Sequence, residues 1–185
     1  MERLLELDGR LLLGLREMVV HPALDKAMIF VSSLGDKGML WIAIGLLLLL
    51  FGIKKKNWRQ RGLFVLFSLA ANFLLCNLIL KPLVDRTRPY VVWDYTPLIP
   101  PVGDASFPSG HTSASFAAAT ALYCIDKRWG IAAYILSVLI GFSRLYLGVH
   151  FPLDVFCGAI LGAASAKLVQ KLYWERRKTC VGGKD

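Results

Sequence analysis

Residues 54–89 read KKKNWRQRGLFVLFSLAANFLLCNLILKPLVDRTRP. Five cations crowd into 54–61, the run 62–80 carries no charge, and a second polar cluster opens at Lys81. An uncharged run of this length matches the ~20 residues that a helix needs to cross a bilayer. The basic block before it reads as a cytoplasmic flank. The stretch therefore predicts an all-α integral membrane protein and gives it a direction.

Composition agrees. The chain has 185 residues, 22 Lys+Arg against 13 Asp+Glu, a net charge of +9 and 56% hydrophobic residues. Disorder is excluded, because it requires low hydrophobicity. A nucleic-acid-binding module would use the charge but has no need of so much apolar surface, so no nucleic-acid partner is expected. Cys76, Cys124, Cys157 and Cys180 show neither metal spacing nor a disulfide framework and read as small apolar residues.

Working outward, residues 3–19 place Leu4, Leu7, Leu11, Leu15 and Met18 on one helical face. Acids scattered among these leucines argue against a cleavable leader. We expect an amphipathic helix over 1–21 lying at the membrane surface. A membrane domain then covers 22–174 and a basic cytoplasmic tail covers 175–185. Within the domain, apolar runs at 23–34, 39–53, 62–80, 109–125, 130–148 and 152–170 predict a six-helix bundle. The first run is short and ends in Gly35-Asp36-Lys37-Gly38, so it is either a short span or a re-entrant one. The basic 54–61 loop, the 126–128 turn and the tail mark the cytoplasmic side. The 82–107 loop and the 148–152 turn then face outward. Six spans put both ends inside; a re-entrant first run moves the N-terminus outside.

The outward side collects residues that hydropathy does not require. They are Lys81 and Arg88, then Ser109-Gly110-His111, then Arg144, then His150 and Asp154. Ionisable residues at membrane depth are costly and default to function. Ser109, after Pro108 and before a helical run, is placed to cap a helix N-terminus. The amides of Gly110 and His111 would then face an anion, which the helix dipole favours. Pro152 fits a first helical turn, which sets Asp154 four residues past His150. An Asp so placed accepts one ring N–H of His150 and leaves the other nitrogen free to attack. Lys81, Arg88 and Arg144 supply positive charge for phosphoryl oxygens. Arg86 reads as a snorkelling side chain, and Asp85 and Asp104 as solvated loop charges. Tyr90, Trp93 and Tyr95 read as an interfacial aromatic belt, with lipid gating as the other possibility. Asn72 and Asn77 are placed to bridge helices. The residues alone leave open which histidine is the nucleophile, although the His150–Asp154 spacing favours His150.

Lys81-x6-Arg88-Pro89, Pro108-Ser109-Gly110-His111 and Ser143-Arg144-x5-His150-x3-Asp154 together resemble the three-part signature of the type 2 phosphatidic acid phosphatase superfamily. The resemblance covers about residues 60–165 and is complete at each signature position. It implies a six-helix membrane lipid phosphatase that needs no metal and no cofactor. It implies that His150 is the nucleophile, Asp154 its partner and His111 the general acid. Lys81, Arg88, Ser109, Gly110 and Arg144 would bind the phosphoryl group. The short chain is similar to bacterial members acting on lipid phosphates. We expect a plasma-membrane enzyme with an extracytoplasmic site, acting on a membrane lipid phosphate, with undecaprenyl diphosphate favoured. Phosphatidylglycerophosphate or phosphatidate hydrolysis, or transfer to an acceptor other than water, are the enzymatic alternatives. A lipid transporter or structural subunit is the non-enzymatic one.

Overall fold

The structure, a computed structural model, describes residues 2–53 and 56–175. Lys54, Lys55 and the expected tail from 176 onward lie outside the described residues. Among those described, every regular element is a helix. Helix α1 covers Glu2–Val19, α2 Pro22–Ser33, α3 Met39–Phe51 and α4 Lys56–Phe73. A wider π-helical stretch, Leu74–Leu80, carries α4 into the short α5, Lys81–Val84. Another short helix, α6, covers Pro89–Val92. Helices α7 (Gly110–Ile125), α8 (Lys127–Tyr146) and α9 (Pro152–Val169) complete the bundle.

Local chemistry sets several of these boundaries. Pro22 opens α2, and the His21 Nδ1 caps it by accepting from Ala23 N at 3.2 Å. Asp126 is the single residue between α7 and α8; its carboxylate accepts from the backbone N of Arg128 at 2.8 Å and starts α8. Pro152 opens α9 as the sequence predicts.

Helix α7 lies at the centre, packed against α4, α8 and α9. Its inward residues are small: Ala117, Ala118, Ala119 and Ala121 are fully buried. The partner face on α9 is smaller still. A Cβ on Gly162 would stand 2.1 Å from the Ser113 carbonyl oxygen, and one on Gly158 would stand 2.9 Å from that of Ser109. Backbones this close hold helices together by dispersion where the surrounding lipid offers no hydrophobic driving force. Larger side chains, Trp41, Leu48, Phe64 and Val65, fill the core between α3 and α4. Asn72 crosses to α7, its Nδ2 donating to Ser113 Oγ at 3.2 Å.

Four helical segments are long and apolar enough to cross a membrane: Pro22–Phe51, Asn57–Val92, Lys127–Tyr146 and Pro152–Leu172. The runs expected at 23–34 and 39–53 are thus two halves of one segment. Gly38 and Lys37 take left-handed backbone conformations at the junction, and the chain bends there instead of reversing. Its two ends lie far apart in the bundle. Tyr146, at the end of α8, donates its hydroxyl to His21 O at 2.9 Å. At the other end, Gly52 packs against the Arg59 backbone in α4. Helix α7, at 16 residues, lies outside those four segments, and most of its residues are buried.

The expected apolar stripe of α1 does not face the protein. Leu7, Leu11 and Met18 are exposed, whereas Asp8, Gly9 and Leu12 are buried against the bundle. Loop 93–107 is anchored rather than free. Tyr95 Oη donates to Gly148 O at 2.8 Å, and Tyr90 Oη exchanges two bonds with the Val102 backbone. These tyrosines, read from sequence as an interfacial belt, here tie the loop to the 147–149 turn.

Candidate active site

The three sequence motifs meet around one cavity of about 720 Å³ at the end of the bundle where α5, α7 and α9 begin. Lys81, Arg88, Gly110, His111, Arg144 and His150 line it. Ser109 and Asp154 stand directly behind that lining, both fully buried.

Each side chain has a local reason for its place. Ser109 caps α7, its Oγ accepting from Thr112 Oγ1 at 3.0 Å. The Ser109 amide donates to Asp154 O at 3.0 Å and locks α7 to α9 at the site. Asp154 occupies the first turn of α9, where Oδ2 accepts from Phe151 N at 2.9 Å and from Ser106 Oγ at 2.5 Å. The same oxygen lies 3.5 Å from His150 Nδ1. Arg88 Nη1 approaches His150 Nε2 at 3.4 Å. A guanidinium can only donate, so Nε2 keeps its lone pair and the ring proton sits on Nδ1, facing Asp154. His150 is almost completely buried. Burial drives its pKa down to about 3. The Asp154 bond opposes that shift, and Arg88 and Arg144 add to it. The imidazole is therefore neutral at physiological pH, as a nitrogen nucleophile must be.

His111 stands on the opposite wall. Its Nε2 is 2.8 Å from Asp36 Oδ1 in the bend between α2 and α3. Gly35 makes that approach possible, since a Cβ there would lie 2.8 Å from the His111 ring. Arg144 is buried in α8 and bonds Ser32 Oγ from α2. Its Nε has no partner among the described residues.

Four residues have roles that sequence reasoning missed. Asp104 is a half-exposed loop charge, but it is not a free one. It pairs with Lys81 and accepts from Arg88 Nη2 at 2.5 Å, so a carboxylate sits among the cations assigned to phosphate. Burial alone would raise its pKa, but Lys81 and Arg88 outweigh burial and hold the carboxyl below its usual range. Arg86 does not snorkel. It is largely enclosed and bridges Asp154 Oδ1, at 2.6 Å, and Asp8 Oδ2, at 2.7 Å. Asp36 and Asp8 are the other two. Asp8 had one signal in the sequence, an acid within an amphipathic run, where charge is costly; Asp36, in the Gly-Asp-Lys-Gly break, had none.

The cavity is also two-sided. Beyond the polar residues its wall continues through Ile42, Leu66, Leu69, Ala70 and Phe73 of α3 and α4. A cationic end and an apolar flank share one space.

The comparisons with known proteins identify the family. The sequence profile of the PAP2 superfamily matches residues 61–178. An undecaprenyl-diphosphatase of Sulfolobus acidocaldarius is 34% identical over 142 residues, covering 76% of this chain and 66% of that protein. A lipid A 4'-phosphatase of Porphyromonas gingivalis is 28% identical over 193 residues, covering 98% of this chain and 79% of that protein. The crystal structure of a transmembrane PAP2 type phosphatidylglycerolphosphate phosphatase from Bacillus subtilis superposes with a TM-score of 0.78. It is 28% identical and covers 95% of this chain and 88% of that one. With the profile spanning more than half of its length and all three motifs around one cavity, the chain belongs to the PAP2 superfamily, the phosphatase family that these relatives share.

Proposed function

We propose that this protein is an integral membrane lipid phosphatase that removes the terminal phosphate of a lipid diphosphate through a phosphohistidine. The observation that carries the reading is the two-sided cavity. A neutral, buried His150 whose unprotonated Nε2 meets Arg88 shares the cavity with Lys81 and Arg144, and the same space opens onto apolar walls. In this reading His150 Nε2 attacks the terminal phosphorus, and the bond from phosphorus to the bridging oxygen breaks. His111 passes a proton to that oxygen. Water then attacks the phosphohistidine while His111 takes its proton, and inorganic phosphate leaves. Asp154 stabilises the imidazolium formed in the first step. Lys81, Arg88 and Arg144, with the amides at the start of α7, hold the equatorial oxygens. Ser109 and Gly110 shape that helix start.

A diphosphate is favoured over a monophosphate because Lys37, from the bend, lines the same cavity on the His111 side. A fourth cation there suits a leaving group that is itself a phosphate. A lipid with a long apolar tail, such as undecaprenyl diphosphate, matches both ends of the space. The site end is assigned to the extracytoplasmic side, because the basic 56–61 and 126–128 segments lie at the opposite end of the bundle.

Phosphate release from detergent-dispersed undecaprenyl diphosphate, undecaprenyl phosphate, phosphatidylglycerophosphate and phosphatidate tests this. The expected order puts the diphosphate first, with no loss in EDTA. Loss of activity in EDTA, or no release from any of the four, would overturn the reading.

A further inference from the structure

The charge chain behind His150 reaches a helix outside the three motifs. Asp8 lies in the middle of the α1 face that docks on the bundle and is 2% exposed. A buried carboxylate is costly unless it is paired and fully bonded. Asp8 meets both conditions. Oδ2 accepts from Arg86 Nη2 at 2.7 Å and Oδ1 accepts from Leu153 N at 3.0 Å, one residue before Asp154. Arg86 in turn donates through Nη1 to Asp154 Oδ1 at 2.6 Å. Its guanidinium also stacks 3.9 Å above the Phe151 ring, one residue after His150. The planar fork of Arg86 therefore bridges two buried carboxylates. It engages Asp154 Oδ1 and leaves Oδ2 toward His150.

We propose that Asp8 and Arg86 are positioning residues of the active site, and that α1 completes the His150 machinery by balancing the charge on Arg86. Without Asp8, the full charge of Arg86 falls on Asp154. Asp154 then stabilises less of the positive charge that forms on His150 when it bonds to phosphorus. Without Arg86, two buried carboxylates face each other and Asp154 loses the bond that aims it. The inference rests on the phosphatase reading for its kinetics but not for its geometry.

The test measures kcat and KM on the lipid substrate, and affinity for orthovanadate, which mimics the five-coordinate phosphorus at a nucleophile. Removing an outer partner that orients a catalytic group costs about 10–100-fold. Asp8→Asn should therefore lower kcat by at least about tenfold, leave KM within about twofold, and weaken vanadate binding by a similar factor to kcat. Arg86→Lys keeps the charge without the fork and should lose kcat as well. Leu12→Ala loosens the same docking face without touching the charge chain. It should lower thermal stability while kcat stays near wild type.

A folded Asp8→Asn variant with wild-type kcat and vanadate affinity would overturn the proposal. So would a Leu12→Ala variant that loses as much kcat as Asp8→Asn, because α1 would then act by packing alone. If Asp8→Asn does not fold, Arg86→Lys decides the question in the same way. A wild-type protein that releases no phosphate from any lipid overturns the phosphatase reading instead. The vanadate comparison between wild type and Asp8→Asn still decides the positioning role.

Discussion

His150 concentrates the chemistry of the site in one ring. Its folded pKa lies near 3, below the 6.5 of an unperturbed histidine, because burial disfavours the imidazolium. Two consequences follow from the sign. The ring stays deprotonated well below pH 6.5, so on the proposed mechanism protonation of His150 does not set the acid limb of kcat/KM. The unfolded chain, by contrast, binds a proton at this position as pH falls through 6.5, while the fold refuses it. Stability is therefore lost below pH 6.5, by roughly 2 kcal/mol at pH 5 from this residue alone. A His150→Gln variant should show a shallower fall of Tm between pH 6.5 and 5 than wild type. It should also lose phosphate release by ~10³-fold or more, the usual cost of removing a nucleophile. Asp104 is the second residue with a readable consequence. Its carboxylate sits with Lys81 and Arg88, where phosphoryl oxygens are assigned, and it is half exposed. Phosphate must displace it. Asp104→Asn should tighten inorganic phosphate binding by up to about fivefold, the worth of a half-exposed ion pair. Calorimetric titration of phosphate into the two proteins measures that difference.

The helices reach the site with an accuracy set by how closely their backbones meet. Gly158 and Gly162 place α9 almost in contact with the α7 backbone, and the Ser109 carbonyl is one of the atoms touched. Gly162→Ala has no room for its methyl group and should cost about 1–3 kcal/mol, the usual range for overpacking, measured by thermal denaturation in detergent. Gly158→Ala presses on Ser109, at the start of α7, and should lower kcat more than it lowers Tm. How much of these elements was legible follows from how local their signals are. Ser109 as a cap and Pro152 as a first-turn residue depend only on neighbours in the chain, and both stand where the sequence put them. The bend at Gly35–Gly38 was legible as a break but not as a bend, because Gly-Asp-Lys-Gly serves a reversal and a kink equally. The α1 stripe was legible as a periodicity expected at the membrane surface, and Leu7, Leu11 and Met18 do stay exposed; the periodicity did not show that α1 also docks on the bundle through Asp8. Periodicity counts apolar residues; it does not count what an enclosed arginine from elsewhere adds in favour of an acid. Asp104 was missed for the same reason. Its partners, Lys81 and Arg88, are distant in the chain and meet it only once the loop is tied down by Tyr90 and Tyr95.

For the whole molecule, a bent first segment that crosses once would change the count of passages and hence the side on which the N-terminus lies. Six separate spans put both ends of the chain on one face. With Pro22–Phe51 as a single bent segment, residue 22 lies at the site end and residue 51 at the opposite end. Were the chain to cross at 22–51, 56–84, 110–125, 127–146 and 152–169, the crossings would alternate, and α1 would share the face that carries Asp104 and His150. The basic 56–61 and 126–128 segments lie at the other end of the bundle, which on the proposed orientation is the cytoplasmic one. The two arrangements separate at α1. Gly103→Cys suits an outer marker, because a Cβ there meets nothing within 4 Å. Glu6→Cys reports on α1 and Asn57→Cys on the basic end, and both positions are exposed. Each is introduced after the four native cysteines are replaced by serine or alanine. In intact cells a membrane-impermeant maleimide should label Gly103→Cys and Glu6→Cys, and should reach Asn57→Cys only after permeabilisation. Labelling of Gly103→Cys without Glu6→Cys would restore six crossings and detach α1 from the site. The Asp8–Arg86 pair would then have no place in an active site on that face, so the topology experiment bears on the chemistry as well as on the fold.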